Sequence, residues 1–214
     1  MYSQKRIIFI IVVSIVIILI YKKTKMSVTA LEALERRRTV RNYDPNYQIP
    51  KDQIEKIMAL AQHSPTACDF QGQDYLVVTN KEKLKKIEKI VIDNLPDDNF
   101  KKHFVERKER HGVSNVVTCD ATTVVFIYKN ERAAEDWIKI DTGIATMSII
   151  VAAQAYGIES MCLGVVVMGK AKNQIEELLG LKKDSLVLGV ALGKPLGKPT
   201  LPKKEIKCKV SYDA

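Results

Sequence analysis

Apolar positions along this chain recur at two spacings, every three to four residues and every second residue, so helices and strands are both predicted and are mixed along its length. One stretch fits neither pattern. Residues 7–21 are apolar apart from Ser14, with Lys5 and Arg6 before them and Lys22, Lys23 and Lys25 after them. At about 1.5 Å per residue the run is a little short for a hydrocarbon core of about 30 Å, and Tyr21 with snorkelling lysines extends it. It reads as a single membrane anchor. A signal peptide is disfavoured because charges, not small residues, follow the run. This divides the chain into an anchor segment with basic flanks, 1–25, and a self-sufficient domain, 26–214. Met26 is also a candidate alternative start, and lysines at both ends of the run leave its orientation open.

Thr29-Ala30-Leu31-Glu32 is a capping box, and the helix it opens runs into Arg36-Arg37-Arg38-Thr39-Val40-Arg41. Four arginines within six residues repel one another unless solvent or an anion separates them. Forked, permanently charged donors beside a hydroxyl suit a phosphate, whereas a charge run on its own is commonly a solvated face. Pro50 and Asp52 open a helix with Ile54, Ile57, Met58 and Ala61 on one side, and Ser64-Pro65 ends it. A small, polar loop over 64–73 then leads to a strand at 75–79. Lys81 to Leu95 is an amphipathic helix stopped by Pro96. The charged stretch from Asp97 to Asn115 suits an exposed helix or lid. The β-branched run over 122–128 reads as a buried strand.

Asp136 to Tyr156 is the longest predicted helix and is apolar on nearly every face, with small residues such as Gly143 and Ala145 that allow close packing. It is expected to be buried, at the centre of a dimer, and to end at Gly157. A strand is predicted over 159–168, a short helix over 175–179 and another strand over 186–192. The proline- and lysine-rich tail after Gly193-Lys194-Pro195 is expected to be an extended arm.

At 214 residues and 46% hydrophobic the chain supports one domain with a substantial core and excludes wholesale disorder. The net charge of +9 favours anionic partners. Nucleic acid is not expected, for there is no recognised motif and no aromatic-basic platform. Cys68, Cys119, Cys162 and Cys208 lie far apart and form no ligand pattern with His63, His103 and His111, so reduced thiols are expected and no metal.

Four segments together resemble the FMN-dependent nitroreductase family over nearly everything from Met26 onward. They are Arg37-Arg38-Thr39-Val40-Arg41, and Ser64 to Gln71 as S-P-[ST]-x-x-[ND]-x-Q. The third is the pair Asp141-Thr142-Gly143-Ile144-Ala145 and Ala152 to Ile158, followed by Cys162-Leu163-Gly164. The fourth is Gly193-Lys194-Pro195 with its basic tail.

The resemblance implies an α+β nitroreductase-like fold, a central mixed or antiparallel sheet flanked by helices, in a homodimer with two FMN sites shared across the interface. It carries flavin and phosphate contacts over to Arg37, Thr39 and Arg41, within a segment that includes Arg38. It carries the loop that the neighbouring subunit lays against the flavin over to Pro65, Thr66, Ala67 and Asp69. Backbone amides near the flavin N5 would be those of Leu163 and Gly164, and Lys198 of the tail is the match for a phosphate contact. Three places depart from the family: Asp69 stands where Asn is usual, Gly72-Gln73 where Pro-Trp is usual, and Thr200 where many members place a second phosphate arginine.

The activity implied is an FMN-dependent oxidoreductase. NADH or NADPH reduces the flavin, and a nitroaromatic, quinone or related small acceptor then takes the electrons by a ping-pong route. No side-chain nucleophile is required, since the cofactor carries the chemistry. No G-x-G-x-x-G follows a strand, so a Rossmann site for the donor is not indicated. With the anchor, the enzyme is expected at a membrane with its catalytic domain in the cytoplasm. Two alternatives stand beside this reading: a membrane-tethered, non-catalytic flavin- or anion-binding module, and, within the fold, a reductive dehalogenase.

Overall fold

The computed structural model of the chain describes residues 28–197 and 205–213. The anchor expected over 7–21, the boundary at Met26 and Lys198 lie outside the described residues. Among the described residues no helix is long and apolar enough to cross a membrane.

Six α-helices, α1 (Ala30–Arg36), α2 (Lys51–Gln62), α3 (Lys81–Asp93), α4 (Asp98–His111), α5 (Ile138–Gln154) and α6 (Gly169–Leu179), surround four strands. The strands are β1 (Gln73–Val78), β2 (Thr123–Lys129), β3 (Glu159–Leu163) and β4 (Leu186–Gly193). The sheet order is β1-β2-β4-β3 and every ladder is antiparallel. This is the α+β architecture expected, with the sheet antiparallel throughout the described strands.

The sheet is covered on both faces. Along β2, Val124 and Phe126 join one cluster with Leu84, Ile87, Phe104, Val166 and Ile175, while Val125 and Ile127 join another with Ile57, Ile149 and Ala153. A strand buried on both sides needs apolar residues at successive positions, which is why this run shows no alternation. Each fully buried Phe or Ile contributes about 1.5–3 kcal/mol relative to exposure. The helices between the sheet and solvent follow from simple signals. Thr29 caps α1 in a complete capping box, Asn80 caps α3, and Gly112, at φ 62°, ends α4 in a left-handed turn.

Two expectations are corrected. The apolar run over 159–168 is a strand only to Leu163; it then tightens into a 3₁₀ turn, Gly164–Val167, whose residues pack between β4 and α6. The helix expected at 175–179 begins at Gly169, because its first two turns are polar and carry no apolar stripe to see. In the single chain α5 packs on α2 and the sheet, and Trp137 at its N-cap, Ile140 and Ile144 remain 51%, 54% and 38% exposed.

Candidate functional site

The segment after α1 is held as an extended strip along the outer edge of β3. Val40 N–H donates to the Ser160 carbonyl at 3.2 Å, and Thr39 forms a parallel bridge with Ser160. Extended backbone sends alternate side chains to opposite sides. Val40 is therefore buried in the core, while Thr39 and Arg41 are exposed and Arg37 is half-buried. Arg38 turns back on its own helix, where its Nη1 donates to the carbonyls of Glu35 and Arg37, each at 2.8 Å, and closes the C-terminus of α1. Arg36 leaves the group too, with Nε 2.9 Å from Oε1 of the buried Gln154. Arg37, Thr39 and Arg41 donate no side-chain hydrogen bond to another described residue.

The far end of this strip is clipped by the closing motif. Asp44 N–H donates to the Lys194 carbonyl at 2.9 Å, Leu196 N–H to the Asn42 carbonyl at 3.0 Å, and Tyr43 bridges Pro195. The start of the tail is thereby delivered next to Asn42, one residue from Arg41.

Beside Arg41 the end of β3 opens a cavity of about 250 Å³, lined by Cys162, Leu163, Gly164 and Val165 and roofed by Phe100 and Phe104 of α4. A 3₁₀ turn leaves its first amide N–H groups without partners inside the turn, so Gly164 and Val165, which follow the last ladder residue Leu163, are the donors this end of β3 can present. Burial pushes the Cys162 thiol up, opposed by the Arg37 guanidinium.

The loop with Pro65, Thr66, Ala67 and Asp69 lies elsewhere. It precedes β1, at the opposite edge of the sheet from β3, three interstrand steps or about 14 Å away. Its backbone is strained: Cys68, Asp69 and Gln71 have φ of 46°, 55° and 48°. The strain is held by specific bonds. Ala67 N–H donates to the carboxylate of the buried Asp141 at 3.1 and 3.3 Å, and Gln71 N–H donates to Thr66 Oγ1 at 3.1 Å. Arg132 and Asn130 donate to the Phe70 and Gln71 carbonyls. Asp69 is exposed and accepts from Gln71 Nε2 at 3.0 Å, tying its carboxylate into the loop. Gly72 stands where the backbone of Ala133 approaches; a Cβ would lie 2.5 Å from Ala133 Cα, so the proline found there in the resembling family has no room. A concavity of about 450 Å³ adjoins this loop, lined by Ser64, Thr66, Gln71, Tyr75 and Arg132 among others.

Sequence reasoning thus named two groups that one chain does not bring together: Arg37, Thr39, Arg41, Leu163 and Gly164 at one edge, and the 65–69 loop at the other. It missed two contributors. Asp141 was visible within a motif, but not as the carboxylate that holds Ala67. On α4, His103, Arg107, Arg110 and His111 face Arg41 around a further cavity of about 250 Å³, and their three- and four-residue spacing was the available signal.

The chain is similar to several known proteins. The CLA biosynthesis enone reductase of Lactiplantibacillus plantarum is 26% identical over 78% of this chain and 86% of the relative. Among solved structures, a nitroreductase with bound FMN from Bacteroides fragilis superposes with a TM-score of 0.69 at 23% identity, over 88% of this chain and all of the other. An FMN-dependent nitroreductase from Mycobacterium smegmatis in complex with NADPH gives 0.60 at 18% identity, over 78% of this chain and 87% of the other. The model of the nitroreductase family matches residues 34–194, from the end of α1 to the closing Lys194. That span takes in both groups of residues and the whole sheet, and the chain belongs to the nitroreductase family.

Proposed function

We propose that the chain is an FMN-dependent NAD(P)H oxidoreductase acting as a homodimer on nitroaromatic, quinone or related small acceptors. The observation that carries this reading is the edge of β3, where the unpaired donors of Arg37, Thr39 and Arg41 stand beside the cavity at Cys162–Val165. Guanidiniums and a hydroxyl suit a phosphate, and an apolar-roofed slot with free amides suits a flat ring, so the residues present fit FMN. The FMN bound in the B. fragilis relative and the NADPH bound in the M. smegmatis relative support the same cofactor and donor.

In this reading Arg37 and Thr39 hold the phosphate, joined by Lys198, and Arg41 with the amides of Leu163 and Gly164 faces the ring system. Bound FMN supplies ping-pong hydride transfer, from NADH or NADPH and then to the acceptor. The chain's own contribution is electrostatic: fixed cations and amide donors stabilise negative charge that accumulates on reduction, and α4 shields the slot from water. A second copy completes the site by bringing its 65–69 loop to this edge. The open stripe of Trp137, Ile140 and Ile144 supports α5 as the contact.

The segment 1–25 anchors the domain in this proposal, so a chain beginning at Met26 stays in solution without detergent while the full chain partitions with lipid. The function itself is tested by the absorption spectrum of the purified protein and its anaerobic titration with NADH and NADPH. Flavin bleached stoichiometrically, and recoloured by a quinone, is the expected result. A colourless protein, or bound flavin that neither donor reduces, rejects the reading.

A further inference from the structure

The cavity between Arg41 and α4 is lined by Arg41, His103, Arg107, Arg110 and His111, with no carboxylate among them. No ion pair among the described residues involves any of these guanidiniums. Arg41 and Arg110 donate no hydrogen bond to a described residue. Arg107 is preorganised: its Cζ lies 4.7 Å from the ring centroid of the buried Phe104, and its Nη2 is 3.3 Å from His103 Nε2. The charges feel one another, since His111 is held below its ordinary pKa first by burial and then by Arg41, Arg110 and Arg107. Attraction to the C-terminus of α4 favours Arg110 and His111 in its last turn, but it does not account for Arg41, which comes from another element.

The bay is continuous with the cavity at Leu163 and Gly164, for Arg41, His103 and Arg107 line both. We propose that Arg41, Arg107 and Arg110, with His103 and His111, form an oxyanion subsite that holds a phosphate or carboxylate of the molecule reacting at the flavin. This rests on the function proposed above. The shared chemistry is a compact anion met by forked donors. Its two sources are the 2′-phosphate of NADPH and an acid group on the acceptor.

Arg110 is exposed, lines the bay and does not line the cavity at Gly164, which makes it the residue to change. Steady-state kinetics of the FMN-loaded full chain compare wild type, Arg110→Gln and Arg110→Lys, with NADPH against NADH and with 4-nitrobenzoate against 4-nitrobenzamide. Arg110→Gln is expected to raise KM roughly tenfold for NADPH, for 4-nitrobenzoate or for both, with kcat unchanged and no change for NADH, which lacks the 2′-phosphate, or for the neutral 4-nitrobenzamide, and Arg110→Lys to recover part of the loss. A change confined to NADPH assigns the subsite to the donor; one confined to 4-nitrobenzoate assigns it to the acceptor. Calorimetric titration with adenosine 2′,5′-bisphosphate and with 4-nitrobenzoate reads the same subsite without turnover. Equal effects on both members of each pair, no effect on any, or weakened FMN with riboflavin unaffected, overturns the proposal. A wild-type protein that takes up no flavin rejects the proposed function instead, and the calorimetric arm then still decides the subsite.

Discussion

Gly193 lies against the ring of Tyr43: a Cβ on the glycine would stand 2.9 Å from Cδ1 and 3.1 Å from Cγ. Tyr43 is fully buried and cannot retreat, and Asp44 and Leu196 are hydrogen-bonded across the same junction. The glycine that ends β4 is therefore what lets the closing motif clip onto the strip carrying Arg37, Thr39 and Arg41. Gly193→Ala is expected to destabilise the fold by about 1–3 kcal/mol through overpacking, seen as a lower urea midpoint, and to weaken FMN binding with it. An unchanged midpoint would mean that the junction yields and does not fix the site.

The half-buried Arg37 and the exposed Thr39 and Arg41 are the side chains on that strip with unused donors, whereas Arg38 is occupied with carbonyls. Replacing Arg37 by Ala removes one charged donor from the proposed phosphate contact, worth about 1.5–3 kcal/mol. FMN affinity should fall by roughly ten- to a hundredfold while riboflavin, which lacks the phosphate, is nearly unaffected. Arg38→Ala should instead lower stability with little selective effect on FMN. If both cofactors weaken equally in Arg37→Ala, the guanidinium does not contact phosphate.

How much of this was legible beforehand differs by residue. Capping boxes, amphipathic stripes and the β-branched run of β2 are local signals, and α1 to α5 and the central strand came out within a few residues of expectation, whereas α6 starts at Gly169, well before its expected start at Ile175. The end of β3 at Leu163 was not legible, because Val165 to Val167 continue the strand-like composition and only packing against β4 and α6 turns the chain. Arg36, Arg37, Arg38 and Arg41 look equivalent as a charge run. Their different roles, bonding Gln154, remaining free, closing α1 and facing α4, come from tertiary neighbours that no local pattern encodes. The α4 cations were read only as part of an exposed helix or lid, because Arg41, their counterpart, is more than 60 residues away in sequence.

Gly143 sits on the open side of α5, and a Cβ there meets nothing within 4 Å in the single chain. In an isolated helix Gly→Ala is favourable by about 0.5–1 kcal/mol. If α5 packs on its copy across a two-fold axis, the added methyl enters the interface twice and costs about 1–3 kcal/mol each time. Gly143→Ala is accordingly expected to raise the dimer dissociation constant at least tenfold, measured by sedimentation across a dilution series. A dimer as tight as wild type, or tighter, would remove this face of α5 from the interface.

Thiol chemistry locates the site independently of turnover. Cys68, Cys162 and Cys208 are exposed, whereas Cys119 is fully buried, with its thiol pushed up to about 11, chiefly by burial. At pH 8 Cys119 therefore stays protonated and sheltered, and a maleimide should modify it only on the timescale of unfolding. Of the exposed thiols, Cys162 alone lies on the lining of the cavity beside Arg41. Burial raises its pKa first and the Arg37 charge opposes this, so its labelling should quicken with rising pH as thiolate forms. Added FMN should then slow Cys162 at least tenfold and leave Cys208 unchanged, as read by mass spectrometry of peptides. Riboflavin should protect equally at saturation but need a higher concentration, because Arg37 and Thr39 have no phosphate to hold. Full protection of Cys162 without any flavin would show that the cavity is closed by the chain itself, and equal labelling with and without FMN would move the cofactor away from β3.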